Sequence, residues 1–190
     1  MDGLIVLNKP AGITSAKALY RLRAACGQKK SGHSGTLDRL ADGVLVICLG
    51  RATKLVESIM DLRKRYRATA RLDVTSRSLD SDTPLEPVAV RGFPSAEAVW
   101  SALAAFQGET LQRPPAVSAL KIGGTPSYRL VARGREVELK PRRVRIYSVT
   151  PIAYEWPIVS FEVLCGRGTY IRSLVRDLGG GSTPAAASHR

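Results

Sequence analysis

The spacing of apolar positions changes several times along the chain, and each change predicts an element. Residues 4–7, Leu-Ile-Val-Leu, form a continuous apolar run that predicts a short buried strand. It ends at Lys9-Pro10, because proline has no amide proton to give a ladder and biases the residue before it toward extended backbone. Leu19, Leu22 and Cys26 then recur at helical spacing, with Thr14 or Ser15 as N-cap and Gly27 where a left-handed residue would stop the helix. Residues 15–26 are therefore expected to be a helix, with Lys17, Arg21 and Arg23 on a basic outer face. A second helix is predicted over 52–62 from the stripe Leu55, Ile59 and Leu62. From 66 to 74 the pattern alternates, with Tyr66, Ala68, Ala70, Leu72 and Val74 on one face and Arg67, Thr69, Arg71 and Asp73 on the other, the signature of a half-buried strand.

Residues 79–95, rich in Asp, Ser and Pro, predict a loop. Pro94-Ser95 opens a helix bearing Val99, Leu103 and Phe106 and ended by Gly108. A further strand is predicted over 159–165, followed by a helix capped by Thr169, striped by Ile171, Leu174, Val175 and Leu178, and stopped by Gly179. Strands and helices follow one another without a regular βαβ rhythm, so the fold class is α+β and not doubly wound. Residues 179–190 lose all periodicity and predict a flexible tail, leaving one domain over 1–178.

Composition narrows the partner. The 190 residues hold 29 Lys+Arg against 16 Asp+Glu, a formal charge of +13, with 44% hydrophobic residues. A chain of this length removes roughly 70% of its unfolded surface from water, so it is a folded body and not a basic tail. Excess positive charge on such a body attracts nucleic acid or an anionic membrane. The apolar runs 4–7 and 44–49 are too short for a signal-peptide core or a membrane span, so no membrane is expected. Cys26, Cys48 and Cys165 include no C-x-x-C pair, and the histidines are only His33 and His189. That pattern suggests neither a disulfide framework nor a metal site, and makes a reducing cytoplasm the default.

Two clusters could carry chemistry. Gly32-His33-Ser34-Gly35-Thr36-Leu37-Asp38 packs two glycines, a histidine, two hydroxyls and a carboxylate into seven residues after Lys29-Lys30. Such a loop can approach a ligand closely, and its carboxylate can serve as base or nucleophile. The plainer alternative is a turn with a capping Asp; a phosphate loop is excluded, because the Gly-Lys-Ser/Thr ending is missing. A lone carboxylate of this kind suits covalent or proton-transfer chemistry better than metal-assisted hydrolysis. The second cluster, Cys165-Gly166-Arg167-Gly168-Thr169-Tyr170-Ile171-Arg172, is either a tight turn with surface arginines or an anion site at a helix N-terminus.

These residues carry a resemblance. Gly32 to Asp38, followed by Leu40-Ala41 and Gly43-Val44-Leu45, resembles the catalytic motif of the bacterial TruB family of tRNA pseudouridine synthases. Lys64-Arg65-Tyr66, Ser118-Ala119-Leu120-Lys121 and Gly168-Thr169-Tyr170-Ile171-Arg172 are similar to further blocks of that family, in the same order. The resemblance runs from about Gly3 to Leu178. It implies a pseudouridine synthase fold, a largely antiparallel mixed sheet flanked by helices and loops, and isomerisation of uridine 55 in the T loop of tRNA without a cofactor or metal.

By the same resemblance Asp38 is the catalytic nucleophile, and Arg172 pairs with it and keeps it ionised. His33 helps hold the extruded nucleotide, Tyr66 stacks on the target base and Tyr170 lines the pocket, while Lys9-Pro10 supports the pocket floor. Extrusion is what a base inside a folded loop requires, and an aromatic face replaces its lost stacking. Lys64, Arg65 and Lys121 are the expected RNA contacts, with Arg63 and the basic runs 133–135 and 140–143 as further candidates. The expected partner is the T stem-loop of tRNA, and the expected state a cytoplasmic monomer.

The chain departs from the pattern at four places. Arg39 stands where the family has proline after the catalytic Asp, and Asp42 replaces a threonine before Gly43-Val44-Leu45. Ser76-Arg77-Ser78 stands for a Thr-Asp-Thr segment. After Asp177-Leu178-Gly179 the family continues into a pocket leucine and a Leu-Arg-Arg block, commonly followed by a PUA domain; residues 180–190 match none of it, so a PUA domain is expected to be absent. These changes keep open an alternative, a catalytically impaired module that binds or folds tRNA. A guide-RNA-dependent synthase ranks below both, because the blocks look bacterial.

Overall fold

The structure, a computed structural model, describes residues 1–90 and 92–179 and the backbone of 188–189. The chain divides into two compact units, Met1–Leu62 and Arg63–His189.

The first unit runs β1 (Gly3–Lys9), α1 (Ser15–Cys26), β2 (Ser31–His33), β3 (Gly43–Leu49), a 3-10 turn (Gly50–Leu55) and α2 (Val56–Asp61). The strands form an antiparallel sheet in the order β1-β3-β2, with Gly3 opposite Leu49, Lys9 opposite Gly43 and His33 opposite Ile47. Leu45, Ile47 and Leu49 of the central strand are buried with Ala18 and Leu19 of α1, and Ile5 and Leu7 pack against them. Helix α1 begins and ends where the sequence predicts. The Thr14 hydroxyl accepts from the Lys17 N–H at 3.1 Å, and Gly27 has φ 64°, a left-handed stop that a Cβ would strain.

Two expectations need correction here. Strand β1 exists but is not buried on both faces: Leu4 and Val6 are exposed, at 50% and 69%, because only the opposite face meets α1. The apolar run hides a strand with one wet side. The expected 52–62 helix is α-helical only over Val56–Asp61 and is preceded by 3-10 geometry. Gly50 opens that turn at φ 55°, with Met1 O only 2.7 Å from where a Cβ would stand.

The second unit contains β4 (Lys64–Arg71), β5 (Val74–Thr75), β6 (Glu86–Pro87), α3 (Ala96–Ala104), β7 (Gly108–Gln112), β8 (Lys121–Ile122), β9 (Thr125–Pro126), α4 (Ser127–Ala132), β10 (Arg142–Glu155), β11 (Ile158–Cys165), α5 (Ile171–Leu178) and β12 (Ser188–His189). Its main sheet is antiparallel throughout, in the order β12-β4-β11-β10-β7. Ala68 and Ala70 of β4, Val159, Phe161, Val163 and Cys165 of β11 and Ile146 of β10 form one core with Val99 and Leu103 of α3 and Ile171, Leu174 and Val175 of α5. Each large side chain buried there contributes roughly 1.5–3 kcal/mol. That burial fixes α5, and with it the start of the second cluster, against the sheet.

Further differences follow from tertiary pairing. The alternating strand stops at Arg71, whose guanidinium turns onto the Asp73 carboxylate, and Val74 pairs instead with Pro87. Helix α3 ends at Ala104, and Gly108 opens β7 at φ 112° where a helix stop was expected. Thr169 is not the cap of α5: its hydroxyl donates to Gly166 O at 3.1 Å, and Tyr170 holds the N-cap position. Most of the expected flexible tail, residues 180–187 and 190, lies outside the described residues; the backbone of 188–189 pairs with Ala70 and Thr69. The expected α+β class stands, with antiparallel sheets and helices in both units. Among the described residues no helix is long and apolar enough to cross a membrane.

Candidate active site

In the first unit the chemistry-bearing loop joins β2 to β3. His33 is the last residue of β2, and the Ser34 N–H continues the ladder by donating to Val46 O at 3.0 Å. Asp38 follows, half-buried, and the peptide groups on both sides of it are held. The buried Ser15 hydroxyl accepts from the Leu37 N–H at 2.9 Å and donates to Leu37 O at 3.1 Å. On the other side Arg39 O accepts from the Gly12 N–H at 2.8 Å and from Lys9 Nζ at 3.5 Å. Lys9 is fully buried and donates as well to Pro10 O and Ile13 O, both at 2.9 Å. A buried ammonium needs such carbonyls to offset its lost hydration. Here they tie the end of β1 to the Asp38 loop.

The side chains of Arg39 and Asp42 are exposed, and it is the Arg39 carbonyl that the loop uses in its own hydrogen bonding. His33 Nδ1 is enclosed and has no hydrogen-bond partner among the described residues, an unusual state for a buried polar atom.

In the second unit Tyr66 sits on β4 opposite Val163, half-buried, with Lys64 and Arg65 at the start of the same strand. Arg65 reaches Glu162 at 2.6 Å, an ion pair at the surface. Tyr170 is positioned through its backbone. The buried Gln112 amide accepts from the Tyr170 N–H at 2.8 Å and donates to Tyr170 O at 3.1 Å, acting as a one-residue substitute for a strand partner. Arg172, in the first turn of α5 and only 4% exposed, donates through Nη1 to Ser78 O at 2.7 Å and Val117 O at 3.1 Å. Ser173 and Arg176 both donate to Arg113 O, so the end of β7 cradles α5.

The altered segment 76–78 thus supplies one of the Arg172 carbonyls. Ser76 and Ser78 close a knot of hydrogen bonds with Asp80, Asp82 and Thr83, with Leu79 held at φ 57° between them, and Arg77 reaches Val131 O at 3.0 Å. Ser118 and Ser127 join their hydroxyls at 2.9 Å beneath the β8–β9 hairpin, where Lys121 is exposed.

The structure therefore places His33 and Asp38 together on one loop. Tyr170 and Arg172 lie together at the start of α5, and Lys64, Arg65 and Tyr66 on one strand. Lys121 stands apart on its own hairpin. Sequence reasoning missed Ser15 and Gln112, because each acts on backbone far along the chain: 22 residues away for Ser15 and 58 for Gln112. Among the described residues no three His, Cys, Asp or Glu side chains are grouped to hold a metal ion. A cavity of about 300 Å³ lined by Ala153, Glu155, Trp156 and Ile158 lies at the turn of the β10–β11 hairpin, the opposite end of β11 from Cys165 and the cluster that follows it.

The family described as TruB family pseudouridylate synthase (N terminal domain) matches residues 23–171. The chain belongs to this family. Among TruB relatives, the tRNA pseudouridine synthase B of Clostridium kluyveri is 42% identical over 180 residues, covering 94% of this chain and 62% of the relative. That of Syntrophotalea carbinolica is 40% identical, covering 94% and 58%. The chain thus spans about 60% of the length of the curated relatives it matches. Among solved structures, a chain of a Cbf5-Nop10-Gar1 complex is similar with a TM-score of 0.72 at 28% identity, covering 99% of this chain and 47% of that one. A chain of an H/ACA RNP bound to a substrate RNA containing 2'-deoxyuridine gives 0.69 at 25%, covering 98% and 44%. The TruB match takes in His33, Asp38, Lys64, Arg65, Tyr66, Lys121 and Tyr170; Arg172 is the next residue after it.

Proposed function

We propose that this TruB-family chain isomerises uridine to pseudouridine in the T loop of tRNA, at uridine 55, with Asp38 as nucleophile. In the proposed reaction the Asp38 carboxylate bonds to C1′ as the C1′–N1 bond of the uridine breaks, the base turns, C5 bonds to C1′ as the Asp38–C1′ bond breaks, the C5 proton leaves and N1 takes up a proton. No oxidant, reductant or group donor enters that balance. Tyr66 stacks on the extruded base, His33 and Tyr170 bind it, Arg172 serves catalysis, and Lys64, Arg65 and Lys121 contact RNA. The chain acts as a cytoplasmic monomer, and a sparse set of three cysteines without a C-x-x-C pair accords with a reducing compartment.

The observation that carries this reading is the clamp on the Asp38 loop. A nucleophile must be presented in a fixed geometry, and hydrogen bonds from Ser15, Gly12 and Lys9 hold the residues on either side of it. Identity of 40–42% to bacterial tRNA pseudouridine synthase B, against 25% to the chain of the H/ACA RNP and 28% to that of the Cbf5-Nop10-Gar1 complex, supports action on tRNA. Carbodiimide labelling and primer extension on a tRNA transcript treated with the chain tests the position. A stop arising at uridine 55 alone is expected, and a stop elsewhere would overturn the assignment.

The impaired-module reading draws on Arg39 and Asp42 beside Asp38. It predicts salt-sensitive tRNA binding with no carbodiimide stop.

A further inference from the structure

Two guanidinium groups lie against one ring at the end of the main sheet. Arg63 Cζ is 4.1 Å from the Tyr147 ring centroid, and Arg145 Cζ is 5.5 Å from it. The pairing explains why they meet. Lys64 and Ile146 both pair with Cys165, so Arg63, Arg145 and Tyr147 gather at the same end of β4, β10 and β11. The Gly166 N–H donates to Arg145 O at 2.8 Å, which holds the turn carrying the exposed Arg167 to this end.

An aromatic face attracts one cation, but a second guanidinium beside it adds like-charge repulsion. The fold does little to neutralise the pair. Arg63 makes no hydrogen bond or ion pair among the described residues, and Arg145 faces Glu109 only at 3.9 Å, with both side chains more than 60% exposed. A rigid ring that holds two largely unneutralised forks at a surface is suited to an anion with several acceptor oxygens. A phosphodiester fits, since guanidinium forks bind phosphate oxygens in pairs. The position agrees: Arg63 immediately precedes β4, which carries Tyr66, and Arg145 O holds Gly166 of the turn that leads to Tyr170.

We infer that Arg63 and Arg145, braced on Tyr147, form a phosphate grip for the RNA strand next to the target nucleotide. This rests on the RNA-modifying reading above. Such a grip sets register and affinity and carries no base specificity.

The test measures binding of a T stem-loop RNA across a salt series, together with steady-state kinetics, for the chain, Arg63→Gln, Arg145→Gln, the double variant and the control Arg21→Gln. Each phosphate contact contributes about 0.7–0.9 to the slope of log affinity against log salt. The double variant should lose about one unit of slope and raise KM several-fold with kcat unchanged, while Arg21→Gln, which removes from α1 the same single charge that each single variant removes from the grip, leaves both in place. Tyr147→Phe should keep the grip, and Tyr147→Leu should weaken it. An unchanged slope and KM in the double variant, with the parent chain binding RNA normally, would overturn the grip alone. Failure of the parent chain to bind the RNA would overturn the RNA reading and the grip with it.

Discussion

Replacing Gln112 by leucine removes both hydrogen bonds that hold the Tyr170 backbone while filling the same space. The 2.8 Å and 3.1 Å bonds are each worth about 1 kcal/mol net, and the stranded Tyr170 N–H and C=O add desolvation, so about 2–3 kcal/mol of stability should be lost. For a chain of this size that lowers the melting temperature by about 4–12 °C. Gln112→Glu should behave differently with pH. Its carboxylate still accepts from the Tyr170 N–H, but its second oxygen would face Tyr170 O at a site only 3% exposed. Burial and that repulsion raise the new carboxyl's folded pKa above its unfolded value, so the stability it contributes is full below the unfolded value and lost as pH rises through the folded one. Gln112→Glu should therefore be nearer to the parent chain at about pH 4 than at about pH 7. Turnover should fall in both variants by the proposed role of Tyr170 in binding the base, because displacing a group in contact with substrate by about 1 Å can reduce rate by about 100-fold. Calorimetry and single-turnover assays read the two effects. A Gln112→Leu variant with the parent melting temperature and turnover would show that α5 alone positions Tyr170, and would refute the argument.

Other changes are expected to act through single contacts. Ser15→Ala should lower the urea midpoint by an amount worth about 1–3 kcal/mol and reduce turnover with little change in KM, because it frees the Leu37 backbone beside Asp38. Gly27→Ala forces a Cβ onto φ 64° and should destabilise α1 by about 1 kcal/mol in the same measurement. The Arg71 guanidinium, hydrogen-bonded to Asp73, holds that carboxyl below its ordinary 3.8. The stability it contributes is present above that value and lost as pH falls through the lower folded one. Asp73→Asn should consequently lose less stability than the parent on acidification, by well under 1 kcal/mol for so open a pair, measured by urea titration between about pH 6 and 3.

What could be read from the sequence was what local chemistry decides. Thr14 and Gly27 fix α1 because a cap acts within its own turn. The alternation from Tyr66 is plain because one face meets the core at Ala68 and Ala70. Strand β10 leaves a faint trace by comparison: of its 14 residues only Val144 and Ile146 are buried, and pairing with β7 and β11 sustains the rest. The candidate site divides in the same way. His33, Asp38, Tyr66, Tyr170 and Arg172 stand out as ordered blocks. Ser15 and Gln112 do not, because a serine and a glutamine become positioning residues only when the fold brings distant backbone to them. Lys9 shows as an ordinary cation in the sequence, and its burial under three carbonyls is a tertiary fact.

The central proposal is that isomerisation of uridine depends on the Asp38 carboxylate. Release of tritium from C5-labelled uridine in a T stem-loop, measured for the chain and for Asp38→Asn, tests it most directly. The account predicts release by the chain and none by Asp38→Asn, with RNA affinity retained by both; equal release from the two proteins would contradict it.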